Sequence, residues 1–423
     1  MSLPVRCLVF LLLSSPSPAL ARSWIVQPDS SGDAPTIQAG IDSAAAGDTV
    51  LVFPGSYTGE KNRNISFLGK AITVRAPAGR DSTFVDAERL GRGFLFTSGE
   101  GADSRLEGFT VREGSGGSVN TSDGGGILCF ASSPTITGCR FTECTANDLG
   151  GAVHLDSGSA ATIDSCEFYD NRARHGGGIS MLLSDGSVTN CVFERDSAEN
   201  DGGAIRCVGS SATIARCAFT DCAADDHGGG VVFEGASMAG ITACQFTGNR
   251  AKFGGGLSVW FSEPVVTGCV FSGCAAREDG GAVRVEGISA AGESLEVAVY
   301  FEDVAITGSH AIRSGGGLFM IDHDAVFVNG RVDSNISERG GGGIYVKHGS
   351  SAFAGVRVIG NTAGLDGGGI CVAGTAAIAL DDVVVAANTS MRSGGGICLT
   401  GAAVATITTG TIARNAADSL GGA

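Results

Sequence analysis

The sequence predicts an all-β fold, a right-handed parallel β-helix that stacks coils of about 26 residues into a solenoid. Three observations carry the prediction. A glycine motif returns at a nearly fixed interval, a second apolar anchor lies between its copies, and the period within a coil is two.

The glycine motif reads x-G-G-[GA]-[ILV]. Its apolar residue falls at Ile127, Val153, Ile179, Ile205, Val231, Leu257, Val283, Leu318, Ile344, Ile370 and Ile397, in steps of 26 six times, then 35, 26, 26 and 27. The sequence stops at Gly421-Gly422-Ala423, the start of another copy, so the repeat is expected to be truncated at the C-terminus. The second anchor reads C-x-F-x-x-[CND], as in Cys139/Phe141/Cys144, Cys166/Phe168/Asn171, Cys191/Phe193/Asp196 and Cys244/Phe246/Asn249. Later coils replace it with aliphatics, as in Val332/Asn335, Val358/Asn361, Val385/Asn388 and Ile412/Asn415. The residue inside C-x-F varies freely (Arg140, Glu167, Val192, Ala218, Gln245, Val270), which marks an outward position between two inward ones. Short strands and glycine turns without a helical period imply two or three strands per coil. Each coil buries little alone, so the core exists only through stacking.

Residues sharing a slot should form ladders along the stack. Cys139, Cys166, Cys191, Cys217, Cys244 and Cys269 make one, and Asn171, Asn249, Asn335, Asn361, Asn388 and Asn415 another, bonding the turn backbone. Stacked parallel Cβ atoms lie about 4.8 Å apart, beyond the roughly 3.8 Å a disulfide prefers, so the cysteines read as small buried hydrophobes. A bridge within a coil, such as Cys139 to Cys144, stays open at this level.

Residues 1–21 read as a signal peptide. Arg6 precedes the apolar run Cys7–Leu13, and Ala19-Leu20-Ala21 offers small residues for cleavage. An exported protein is expected, extracellular or associated with the outer membrane or cell surface. No later apolar run is long enough for a transmembrane helix. Residues 22–60 read as an N-terminal cap with a short helix and the first strand, and 61–423 as the β-helix. The helix is expected near Asp33–Gly47, with Asp33 or Ala34 in the cap region, Pro35 in the first turn, and Ile37 and Ile41 on one face. Such a helix would cover the open edge of the first coil. The formal charge of −16 makes nucleic acid an unsuitable partner. The oligomeric state is left open.

The segment Thr36–Tyr57 (TIQAGIDSAAAGDTVLVFPGSY) together with these repeats resembles the pectate-lyase-like right-handed β-helix superfamily. The pairing of G-G-A-[ILV], as at Gly202–Ile205, with F-x-x-N, as at Phe168–Asn171 and Phe246–Asn249, is similar to the repeats of chlamydial polymorphic outer-membrane proteins. That resemblance implies a surface passenger that aids adhesion, ahead of a membrane barrel; no barrel segment stands in this sequence. The lyases of the superfamily carry calcium-binding aspartates and a catalytic arginine. No motif of theirs matches positions here, so no catalytic residue is carried over.

Two groups could carry chemistry. The residue before Gly-Gly forms an outward column in which His175, Asp201 and His227 occupy successive rungs, about 4.8 Å apart. Imidazole and carboxylate together could share acid–base work or hold a divalent metal. The plainer reading is a solvated turn. The second group surrounds the 35-residue step, where extra residues at Glu286–Ser294 form a projecting loop. Trp260 and Glu286 share one coil position on adjacent rungs, and Arg284 lies beside them. An exposed indole flanked by Arg284 and Glu286 could stack on a sugar ring and hold its hydroxyls. No cofactor is required, and Ca2+ stays open at this level.

The expected function is therefore non-catalytic: a binding, adhesion or envelope-structural module that recognises a polysaccharide or cell-surface glycan. The alternative is a polysaccharide lyase or glycoside hydrolase acting on an acidic polysaccharide. A lyase needs a base and cationic charge at the uronate, and a hydrolase two converging carboxylates.

Overall fold

The structure, a computed structural model, describes residues 21–117, 122–287 and 298–418. All of the expected leader 1–21 except Ala21, most of the projecting loop and the last Gly-Gly lie outside the described residues.

All paired strands run parallel, each to its counterpart about one coil away, and they assemble into four sheets of 13, 15, 14 and 10 strands. A representative coil passes through sheet one at Ile179–Leu182, sheet two at Ser187–Thr189, sheet three at Val192–Glu194 and sheet four at Ser197–Asp201. Gly202-Gly203 then turns the chain into Ile205–Val208 of the next coil. The expectation of two or three strands per coil is corrected to four from Arg172 onward, where sheet four begins. Most of its strands are two residues long, as at Ala223–Ala224 and Ala275–Ala276. So short a strand leaves no alternation to read.

Register explains the repeat. Phe141 pairs with Phe168, Phe168 with Phe193, Phe193 with Phe219, Phe219 with Phe246 and Phe246 with Phe271. Their rings stack with centroids 4.5–5.1 Å apart and nearly parallel planes. The strand spacing is also the stacking distance of aromatic rings, so one side chain repeated in one slot packs against itself. Each of these rings is fully buried, which stabilises the stack by roughly 2–3 kcal/mol per ring.

The second glycine of each turn admits no Cβ. At Gly203 that atom would lie 2.2 Å from the Gly229 carbonyl oxygen and 2.5 Å from that of Ala223, both backbone. Gly202 holds φ at +68°, in the left-handed region.

The asparagine ladder forms as expected. Asn335, Asn361 and Asn388 each donate Nδ2 to the Oδ1 of the next asparagine at 3.0 Å and to a strand carbonyl (Ile306, Val332, Val358). Each also donates its backbone N–H to that same Oδ1 at 2.9 Å. A buried turn corner is thereby satisfied without water. The inward cysteines are free thiols, including Cys139 and Cys144. They point Sγ at backbone carbonyls, as Cys191 does to Thr189 at 3.1 Å, and burial pushes the Cys144 thiol up to about 12. A third ladder went unread in the sequence. Buried Ser184, Ser210, Ser237 and Ser262 follow the strands of sheet one by two or three residues, and each hydroxyl oxygen after the first accepts the N–H of the serine before it at 3.1–3.2 Å.

At the N-terminus the helix spans Ile37–Ser43, with Ile37 and Ile41 buried. The cap is Thr36, whose hydroxyl accepts the Ala39 N–H, not Asp33 or Ala34. Asp33 is used otherwise: its Oδ2 accepts the Ile25 N–H at 3.0 Å and fixes the first strand, Ser23–Val26. No helix among the described residues is long and apolar enough to cross a membrane.

Candidate functional site

The outer face of sheet one differs from the other flanks. Its central outward column reads His154, Ser180, Arg206, Val232, Ser258, Arg284, Phe319 on successive rungs. Period two alone makes these solvent-facing, yet all except Arg206 are buried, and Arg284 is only 8% exposed. The flanking columns lean over them. On one side stand the residues before Gly-Gly (His175, Asp201, His227, Phe253, Asp279), and on the other Glu234, Trp260 and Glu286.

This geometry joins the two groups that the sequence kept apart. The His227 ring stacks on Trp260, centroids 5.1 Å apart and planes 9° apart, and also on Phe253 at 5.1 Å and 30°. The Arg284 guanidinium lies 4.1 Å from the centre of Phe253 and 2.7 Å from Glu286 Oε2. Trp260 is thus half-buried, with one indole face against His227 and Phe261 tilted beside it at 5.2 Å. The expectation of a freely exposed indole is corrected: the crowd of rings on successive rungs covers part of it. What remains open is a rigid aromatic ledge rather than a single mobile ring.

His175 sits 3.0 Å from Asp201 through Nδ1 and Oδ2. Burial pushes the Asp201 carboxyl up, but the His175 contact together with the nearby His227 and Arg206 outweighs it and holds the group below the usual carboxylate range. His227 is lowered, first by burial and then by the Arg284 charge, so its imidazole is neutral near neutral pH. Its Nδ1 is 3.2 Å from Ser258 Oγ and its Nε2 3.9 Å from Asp226 Oδ2. Serine, imidazole and carboxylate thus fall in the order of a nucleophile relay. Ser258 is buried beneath the column, however, and the carboxylate stands beyond hydrogen-bond reach.

Asp201, Asp226 and His227 bring ligand atoms within 4.8 Å of one another. Lys252 Nζ already lies 3.3 Å from Asp226 Oδ1 and His175 Nδ1 3.0 Å from Asp201 Oδ2, so both carboxylates are already engaged by the chain's own side chains. These side chains also fall short of the roughly six to eight oxygens that Ca2+ takes.

A family model described as a right handed beta helix region matches residues 101–206 and 151–381, more than half of the chain. The chain belongs to this family. The right-handed β-helix is also the common ground with solved structures. Tailspike protein 3 of bacteriophage CBA120 is similar at 11% identity and a TM-score of 0.42, over 86% of this chain and 56% of that one. The catalytic unit of an α-1,3-glucanase from Streptomyces thermodiastaticus is similar at 14% identity and a TM-score of 0.39, over 88% and 66%. A mannuronic acid specific family 6 polysaccharide lyase from human gut microbiota is similar at 11% identity and a TM-score of 0.38, over 89% and 83%. The chain therefore spans about half the length of the tailspike and about two thirds of the glucanase unit. No curated protein matches the sequence.

Phe253, Lys252 and Ser258 were not singled out by sequence reasoning as site residues. Phe253 carried a signal, since it stands before Gly254-Gly255 in the column of His175, Asp201 and His227, and Lys252 is its neighbour in sequence. Ser258 carried none, because its role comes only from burial under His227.

Proposed function

We propose that this exported β-helix is a non-catalytic glycan-binding module, and that it takes its ligand along the outer face of sheet one. One observation carries the reading: Trp260, His227 and Phe253 form a fixed aromatic ledge flanked by the ion pairs Arg284–Glu286 and Arg206–Glu234. Aromatic faces pack against the C–H surface of a sugar, and charged pairs with spare lone pairs and N–H groups take its hydroxyls. The ledge is rigid because its side chains hold one another, so little ordering entropy is lost on binding. The identity of the neighbouring tailspike, glucanase and lyase folds is compatible with this reading and does not carry it.

A second reading has one observation in its favour. Asp279, in the same turn column, is shifted up by burial, as a general acid must be. Its Oδ1 accepts the Ser314 N–H at 3.1 Å. A hydrolase or lyase would use it.

Incubation of the purified protein with neutral and acidic polysaccharides separates the readings, with gel retardation for binding and new reducing or unsaturated ends for cleavage. Retardation without new ends, lost in Trp260→Ala, is the expected result. New ends that vanish in Asp279→Asn would replace the binding reading with the enzymatic one.

A further inference from the structure

We infer that this face selects uncharged, hydroxyl-rich glycans and discriminates against polyuronates. The inference rests on the glycan-binding reading and deepens it by naming the ligand class.

The argument is one of charge pairing. Arg206 Nη2 is 2.6 Å from Glu234 Oε2, Arg284 Nη1 is 2.7 Å from Glu286 Oε2, and Lys252 Nζ is 3.3 Å from Asp226 Oδ1. His175 is matched by Asp201 at 3.0 Å. Arg206, Arg284 and Lys252 each have their carboxylate on the same face, and Asp279 adds another acid beside Arg284. A uronate carboxylate brought to one of these cations meets, as a like charge, the carboxylate already paired with it.

Position sharpens the point. Glu234, Trp260 and Glu286 occupy one column on three successive rungs. The tryptophan therefore stands on the rung between two glutamates, with strand backbones about 4.8 Å apart along the stack. A sugar seated on the ledge meets carboxylate oxygens on both sides. Those oxygens accept hydrogen bonds from hydroxyl groups and repel acids. Arg284 is buried between Phe253 at 4.1 Å and Phe319 at 5.9 Å, which fixes its plane and prevents it from swinging out to an anion. The net charge of −16 adds a repulsive field at longer range.

The test titrates the purified full chain with a soluble β-glucan, a galactomannan, polygalacturonate and alginate, following gel retardation at low and high salt. The neutral polymers are expected to bind at least roughly tenfold more tightly than the uronates, with little salt dependence. The variant Glu234→Gln/Glu286→Gln removes the two carboxylates that flank the ledge and leaves the rung positions otherwise unchanged. It is expected to gain about tenfold in uronate affinity, in a form that weakens with salt. Should that variant fail to fold, by circular dichroism, the salt series on the unaltered protein decides. Tighter binding of the uronates by the unaltered protein overturns this inference and leaves glycan binding standing. Retention of no polymer at all overturns both.

Discussion

Asp196 is an aspartate in an asparagine ladder. It occupies the slot of Asn171 and Asn249, and its Oδ1 accepts the N–H and the Nδ2 of Asn171 at 2.9 and 2.8 Å. Asn171 donates its own Nδ2 to the Phe141 carbonyl and Asn249 to that of Phe219. By the register of sheet three, the carbonyl waiting for position 196 is that of Phe168. A carboxylate cannot donate to it, and Asp196 Oδ2 has no partner among the described residues. A protonated carboxyl can, and burial pushes Asp196 from 3.8 up to about 8. The sign follows from linkage. The folded state binds this proton more tightly than the unfolded chain, so the stability it confers is complete below about pH 4 and is lost as pH rises towards 8. A shift of about four pH units corresponds to on the order of 5 kcal/mol, or about 1.4 kcal/mol per unit across that window. Asp196→Asn supplies the donor permanently. Near pH 4 the variant should match the parent; near pH 8 it should be the more stable by a few kcal/mol. Denaturant midpoints across this range measure the difference, and parallel profiles for the two proteins would refute the reasoning.

Other consequences can be checked on the same samples. Phe193→Ala, in the middle of the ring stack, should lose about 3–5 kcal/mol by denaturant unfolding, because rings on both sides lose a face. Gly203→Ala should cost far more than the usual glycine-to-alanine change, since its Cβ would strike two carbonyl oxygens of the neighbouring coil; a melting temperature close to the parent's would contradict the turn geometry. A thiol reagent should find the buried inward cysteines silent in the native protein and titrate them only on unfolding, with partly exposed Cys398 as the early reactor. Rapid native labelling of the Cys139 to Cys269 column would argue against its burial.

The fold was legible because identical residues in identical slots repeat a strand-spacing apart, and repetition survives without knowing any contact. Phe141 to Phe271 and Asn335 to Asn415 are of this kind. The fourth sheet was not legible, since two-residue strands such as Ala223–Ala224 have no period. The site was half legible. His227 and Trp260 could each be assigned a column and a rung, but their meeting depends on both side chains reaching across Ser258. Period two says which way a side chain leaves the backbone, and says nothing about neighbours leaning over it, so the burial of Arg284 and His154 could not be read from it.

Among the described residues the backbone ladders of each coil run to the coil before it and the coil after it, and this has a mechanical consequence. Tension applied along the axis would load every parallel ladder together, whereas tension at a chain end would peel one coil at a time. Each peeled coil would release a contour length of about 90 Å. Under shear at a surface, such a solenoid behaves as a serial set of weak latches: it would yield extension coil by coil while the unpeeled remainder, ledge included, kept its shape.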